Sequence, residues 1–355
     1  MDLASEIRDG DRPLVLYGAG NAGLTVARHL TARNVKIAAF LDARAGTGDM
    51  RAGIPVHRLA DWANAGRAAG TDVLVTIHNP LVDVAPIIDD LRAAGFSRVM
   101  SMVDYMDLFP DDTENRLWLV PSTFYVGKEK EIASTRALLA DSLSRRWFDA
   151  ILRLRREGDY HGLPEPEPKQ YHPTSLRRWP EPMRLIDCGA FDGDTLDALV
   201  GDGYRMEAVA AFEPDPDNFT KLAAKRFDRM DTIFLPCGVS SLTSMVRFIA
   251  GAGVNSRIDG TGDFAIQCVA IDEALPTFAP TLIKMDIEGA EPAALRGAER
   301  TLRQHRPALA IAVYHEPNHL WDIPLWLAEL DLGYRFYIRG HGYCSYDVIL
   351  YARAD

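Results

Sequence analysis

A chain of 355 residues with a net charge of -11 and 47% hydrophobic residues is long enough to bury two cores, and its acidity argues against a nucleic-acid partner. No run approaches the roughly 18 apolar residues of a membrane span, and the opening MDLASEIRDG lacks the basic and apolar stretches of a secretory leader, so a cytoplasmic protein with a small-molecule or glycan substrate is expected. Cys188, Cys237, Cys268 and Cys344 are too scattered for a zinc site or a disulfide framework and read as reduced core thiols.

Over residues 13–110, short apolar runs alternate with helical patterns: PLVLYG, a helix through Thr25–Arg33, VKIAAFLD, a loop to Ile54–Pro55–Val56, DVLVTIH, a helix to Gly95, and SRVMSM. Strand alternating with helix predicts a parallel sheet, so residues 1–110 read as a Rossmann-like nucleotide-binding domain. After the first strand comes Gly18-Ala19-Gly20-Asn21-Ala22-Gly23, with Asp42 ending the next strand about twenty residues on, the arrangement of a dinucleotide-binding turn. Gly18, Gly20 and Gly23 would admit the phosphates of a nucleotide or nucleotide sugar to a helix N-terminus, and Asp42 would accept ribose hydroxyls. The same glycines equally suit a tight turn in a scaffold that binds nothing. There is no Tyr-x-x-x-Lys pair and His78 is the one acid-base candidate, so a nucleotide-sugar oxidoreductase or epimerase stands as an alternative rather than the main reading.

Residues 111–180 break the alternation with a helix-like stretch over Glu129–Arg156 and the Pro-rich GLPEPEPKQYHPTSLRRWPEP, a linker or a lid in which Tyr171 and His172 would reach an acceptor. From 181 to 355 a second α/β series runs: RLIDCGA, a helix after Gly193, AVAAFEP, a helix over Pro216–Phe227, TIFLPCGV, strands around VRFIA and FAIQCVAID, TLIKMDIEG, a long helix to Arg306, and ALAIAVYH. A helix near Pro324–Leu330 precedes YRFYIRG and DVILYAR, close enough to pair antiparallel.

The second glycine turn, Asp187-Cys188-Gly189-Ala190-Phe191-Asp192-Gly193-Asp194, carries three carboxylates where a pyrophosphate tolerates none. A cationic ligand reverses the sign. S-adenosyl-L-methionine has a sulfonium, an ammonium and no phosphate, and Glu213, about twenty residues past Gly193 at a strand end, is placed for its ribose hydroxyls.

LIDCGAFDGDT, AAFEPDP, IKMDIEGAE and AIAVYHEPNHLWDIP, in that order across Tyr171 to Arg353, resemble the FkbM-type methyltransferases, which O-methylate sugars and natural-product scaffolds. The resemblance implies a class I methyltransferase fold, a Rossmann-like mixed sheet of seven strands, preceded here by the smaller Rossmann-like α/β domain. It implies that Asp187, Gly189, Ala190, Phe191, Gly193 and Glu213 hold the cofactor and that Asp286 and Glu288 face the reacting centre. Where the family phrase resembles YHKPEDLW, this chain retains His315 and departs at Glu316 and His319. The N-terminal domain resembles those preceding some sugar-modifying members and the nucleotide-sugar-binding half of certain acyltransferases.

A sugar hydroxyl needs a base, and His315, if it emerges beyond a strand C-terminus, would accept the proton as a neutral imidazole, with Asp286 orienting it. Lys284 within its apolar strand would snorkel or pair with a carboxylate. Asp286, Glu288 and His315 are also a set that would collect a divalent ion, but no closely spaced ligands mark one and no metal is assigned. A non-catalytic cofactor-binding scaffold in glycan assembly is the remaining alternative.

Overall fold

The computed structural model describes residues 6–7, 12–112, 114, 116–227, 230–249, 257–258 and 264–354; most of the MDLASEIRDG stretch lies outside them. The chain divides into two compact units, Met1–Glu129 with Trp147–Glu165 and Gly342–Tyr346, and Lys130–Arg146 with Pro166–His341 and Asp347–Asp355. No helix among the described residues is long and apolar enough to cross a membrane.

In the first unit, strands β1 (Leu14–Tyr17), β2 (Ile37–Leu41), β3 (Met50–Arg51), β4 (Ile54–His57), β5 (Asp72–Val75) and β6 (Arg98–Met100) form one sheet in the order β3-β4-β2-β1-β5-β6. All neighbours are parallel except β3 with β4. The stretch around Ile54, read as loop, is therefore a strand, its Phe40↔Val56 register extending the sheet. A helix over Met102–Leu108 was not among the elements expected from the sequence. It is set by Ser101, whose side chain accepts from Asp104 N–H while Asp104 accepts from Ser101 N–H.

In the second unit, β7 (Met183–Cys188), β8 (Met206–Phe212), β9 (Asp231–Leu235), β14 (Leu282–Met285), β15 (Ala308–Ala312), β16 (Tyr334–Gly340) and β17 (Val348–Ala354) form the expected mixed seven-stranded sheet, ordered β16-β17-β15-β14-β7-β8-β9. Between them, β10 (Gly238–Val239), β11 (Ser244–Ile249), β12 (Arg257–Ile258) and β13 (Phe264–Val269) make a separate small sheet, so TIFLPCGV is split between two sheets. β7, β14 and β15 are almost wholly buried, which is why they read as near-continuous apolar runs. The order reverses at β7, whose parallel neighbours are β8 and β14, and ligands bind in a parallel sheet beyond the strand ends at such a switch point.

Two long helices expected from the sequence are each broken. The first divides into Glu129–Leu138 and Ser142–Glu157 because Leu139 bridges to Phe336 and Ala140 N–H donates to Phe336 O at 2.8 Å. The second divides into Glu291–Arg296 and Glu299–His305 at Gly297, where a Cβ would lie 2.1 Å from Ser240 O. The Pro-rich segment has no regular structure yet is tied down, with Glu167 N–H on Gly340 O at 2.9 Å and Trp179 Nε1 donating to Tyr171 O at 2.6 Å.

Candidate functional site

The strand ends of β7, β8, β14 and β15 carry the polar residues of the second unit. The turn after β7 takes left-handed backbone at Gly189 (φ 76), Phe191 (φ 49) and Gly193 (φ 88). A Cβ on Gly189 would sit 1.9 Å from Asp286 O, so glycine there lets this turn lie against the end of β14. Gly189 and Ala190 N–H both donate to Phe212 O at 3.0 Å, and Phe191 N–H donates to Glu213 Oε2 at 2.8 Å. Glu213 Oε1 accepts Asp215 N–H at 2.9 Å. Burial pushes the Glu213 carboxyl up to about 7 against the pull of those N–H groups. Gly193 ends the turn as the cap of helix Asp194–Gly201.

Asp187 and Lys284 face each other in register on β7 and β14, with Nζ 3.1 Å from Oδ1 and both side chains almost fully buried. Lys284 also donates to Gly189 O at 2.5 Å. Burial opposes its charge, but Asp187 and Asp286 hold the ammonium above its ordinary range. Of the two sequence readings of Lys284, pairing with a carboxylate is the one the structure adopts. Burial lifts the Asp187 carboxyl against the pull of the Lys284 ammonium on Oδ1.

Asp286 follows β14 and His315 follows β15, and the two meet, His315 Nε2 lying 3.2 Å from Asp286 Oδ1. Glu288 Oε2 stands 3.9 Å from the same nitrogen. The sequence reading overlooked Glu291 and left His319 without a role, because the one looked like an ordinary first-turn acid of a helix and the other departs from the family phrase. Glu291 is fully buried, with Oε1 2.8 Å from His315 Nδ1 and Oε2 3.4 Å from His319 Nδ1. Tyr171 OH donates to Asp286 Oδ2 at 2.6 Å, and Tyr314 OH lies 3.5 Å from Oδ1. His172 does not join them and pairs with Asp202 at 2.9 Å.

A neutral His315 is not what this environment favours. Burial disfavours imidazolium, yet Glu291 and Asp286 raise the ring well above its ordinary value. Burial likewise opposes the Asp286 carboxylate, but His315, Lys284 and Tyr171 hold it well below the usual range. The ionised form of Asp286, 20% exposed, is thus the accessible proton acceptor of the cluster.

The N-terminal turn is also built as expected locally. Gly18 has φ 111, a Cβ on Gly23 would lie 2.0 Å from Gly18 O, and Asp42 Oδ2 accepts Ala19 N–H at 2.9 Å. Gly20 caps helix Asn21–Ala32, whose first turn contains no acid. His78 is buried between Trp118 and Tyr346, and burial pushes its ring down to about 4, which marks it as structural.

Residues 187–343 match the family described as Methyltransferase FkbM domain. That stretch of the chain is similar to an FkbM methyltransferase domain. The crystal structure of methyltransferase FkbM from Methylobacillus flagellatus KT is similar to it with a TM-score of 0.77 at 24% identity, covering 99% of this chain and 94% of that one. At that identity the likeness speaks for the fold, and it extends beyond the FkbM domain into the N-terminal unit. No curated protein matches significantly in sequence.

Proposed function

We propose that the protein is an S-adenosylmethionine-dependent O-methyltransferase acting on a hydroxyl of a sugar, glycan or related scaffold. The observation that carries this reading is the convergence of Asp187, Glu213 and Asp286 on one glycine cradle, an acidic environment suited to a cationic, phosphate-free cofactor. The donor set fits that group: Asp187, paired with Lys284 through Oδ1, keeps Oδ2, and each Glu213 oxygen keeps a lone pair beyond the N–H it already accepts. Gly189, Ala190, Phe191 and Gly193 would line the cradle, and Glu213 would hold the ribose.

When bound, S-adenosylmethionine supplies a methyl carbon activated by a sulfonium. Asp286 would hold the acceptor hydroxyl and receive its proton at the carboxylate. A carboxylate held below its usual range suffices, because an oxygen that has gained an alkyl group is a far stronger acid than a hydroxyl. His315 and Tyr171 would orient Asp286, Glu291 would orient His315, and Glu288 would border the acceptor. Mass spectrometry of a source-cell glycan extract incubated with methyl-labelled S-adenosylmethionine tests this; label on a nitrogen, or on no component while S-adenosylhomocysteine binds, overturns O-methylation.

In the first unit, the acid-free turn at Gly18, Gly20 and Gly23 favours a nucleotide or nucleotide sugar over a cationic ligand, with Asp42 bracing the loop. We read it as a substrate-recruiting site rather than a redox centre, since its strand-end histidine is structural.

A further inference from the structure

The Pro-rich segment ahead of β7 concentrates positive charge in a chain whose net charge is -11. From Lys169 to Trp179 it carries one lysine, two arginines and His172, and no carboxylate. Together with Asp202 and Tyr204, which follow helix Asp194–Gly201, these residues line a cavity of about 260 Å3 in the second unit. Asp202 is the one acid among the described lining residues, and its Oδ2 is taken by Lys169 Nζ at 2.5 Å and by His172 Nδ1 at 2.9 Å. Burial holds the His172 ring below its ordinary value, so it meets Asp202 as a neutral N–H donor and Lys169 balances the carboxylate.

The charge left over is cationic. The Arg177 side chain has no hydrogen-bond or ion-pair partner among the described residues. Arg178 lies over the Tyr204 ring, Cζ 3.9 Å from its centroid, and otherwise makes long contacts, Nη1 to Asp202 O and Nη2 to Glu181 Oε1, each at 3.5 Å. Glu181 is itself occupied, its Oε2 accepting Arg205 N–H at 2.9 Å. A guanidinium held over an aromatic face keeps its N–H edge for a two-point grip on an oxyanion. The backbone that carries both arginines is also fixed. Arg353, 7% exposed on β17, donates from Nη1 to Arg177 O at 2.7 Å and to Arg178 O at 3.3 Å, and its guanidinium lies 5.3 Å over Trp179. Groups ordered before the ligand arrives cost less to order on binding.

We propose that this cavity binds a phosphate ester of sugar-phosphate size, with Arg177 and Arg178 on the phosphate. Two guanidiniums without a strong partner match a dianion better than the single charge of a carboxylate. The volume is just under the ~300 Å3 at which pockets for drug-sized ligands begin, so there is room beside the phosphate for a small carrier against Pro173, Leu176 and Tyr204.

The test is calorimetry on the full chain with glucose 1-phosphate, inorganic phosphate and glucose, repeated in Gly20→Asp so that the glycine turn of the first unit does not contribute. Both phosphates should bind, and glucose should give no heat. Arg177→Gln and Arg178→Gln should each weaken glucose 1-phosphate binding about tenfold or more, as for a lost hydrogen bond to a charged group, while circular dichroism and S-adenosylhomocysteine affinity stay those of the parent. Arg178→Lys, which keeps the charge and loses the fork, should recover part of that loss. Absence of binding by both phosphates at about 10 mM, weaker than the ~4 kcal/mol of a millimolar site, overturns the proposal. So does phosphate binding that disappears in Gly20→Asp, or parent-like affinity in folded Arg177→Gln and Arg178→Gln. Phosphatase treatment of the glycan extract separates two carriers: labelling that is lost places the phosphate on the methyl acceptor, and labelling that persists makes the ligand a free sugar phosphate. That arm rests on the methyltransferase reading, whereas phosphate binding does not, so a chain that binds glucose 1-phosphate and transfers no methyl group loses that reading alone.

Discussion

Asp42 caps the first glycine turn by accepting Ala19 N–H at 2.9 Å, and Glu213 caps the second by accepting Phe191 N–H at 2.8 Å. In both, the first glycine N–H donates to the last carbonyl of the neighbouring strand, Gly18 to Leu41 O at 2.8 Å and Gly189 to Phe212 O at 3.0 Å. The residues beneath differ. Thr76 Oγ1 donates to Gly18 O at 3.0 Å in the first unit, while Lys284 Nζ donates to Gly189 O at 2.5 Å in the second and brings Asp187 with it. Beyond β5 and β6 stand a neutral buried His78 and a Ser101 spent on capping; beyond β14 and β15 stand Asp286, Glu288 and His315. A glycine turn with an acid on the next strand is therefore a backbone solution common to both units. Chemistry is set by what the third and fourth strands deliver.

The most severe way to break this contrast is Asp286→Asn. Loss of the proton acceptor should lower turnover by roughly 10²–10⁴ while calorimetric affinity for S-adenosylhomocysteine stays near that of the parent. Near-normal turnover with the true acceptor would return the base role to His315 or Glu288.

Lys284→Met removes the cation under the second turn and strands Asp187 in the interior. The expected loss of stability is about 3–5 kcal/mol by urea unfolding, as for a broken buried ion pair. Thr76→Val, the matching change under the first turn, should cost about 0.5–1.5 kcal/mol, the range of one neutral hydrogen bond. Equal losses would mean that the turns are supported alike.

Glu213 sharpens the comparison through pH. Its carboxyl is raised from 4.5 to about 7 by burial, so its contribution to stability is full at low pH and is lost as pH climbs through 7. The cofactor-free protein should accordingly lose stability across that window. S-adenosylhomocysteine should bind more tightly above pH 7, since the carboxylate is the form that accepts two ribose hydroxyls, and Glu213→Gln should remove the dependence. In Glu213→Ala, binding should weaken by about 1.5–3 kcal/mol. A parent affinity flat between pH 6 and pH 8 would place the ribose elsewhere.

The smallest effect on the fold belongs to Gly20→Asp. A Cβ there meets nothing within 4 Å, and aspartate is a favoured helix cap, so stability should hold or rise by a few tenths of a kcal/mol. The added charge should nevertheless abolish binding of a nucleotide sugar to the first unit. Titrations of the parent with NAD and several sugar nucleotides that show neither heat nor thermal shift would leave that turn as scaffold.

The alternation of apolar runs and helices was sufficient to read both α/β units, because buried parallel strands must be apolar along their whole length. The acid-rich turn at Asp187–Gly193 and Glu213 at the next strand end were legible too, since charge and glycine spacing are local properties. What only the tertiary structure decided depends on residues distant in sequence. Lys284 meets Asp187 through the register of β14 on β7, and Tyr171 reaches Asp286 across 115 positions. The helix breaks at Leu139 and Gly297 come from contacts with Phe336 and Ser240, which no helical period contains. The protonation of His315 was beyond sequence for the same reason: a strand-end position says where an imidazole emerges, but its proton is governed by the carboxylates of Asp286 and Glu291, and folding alone sets them 3.2 and 2.8 Å from its two nitrogens.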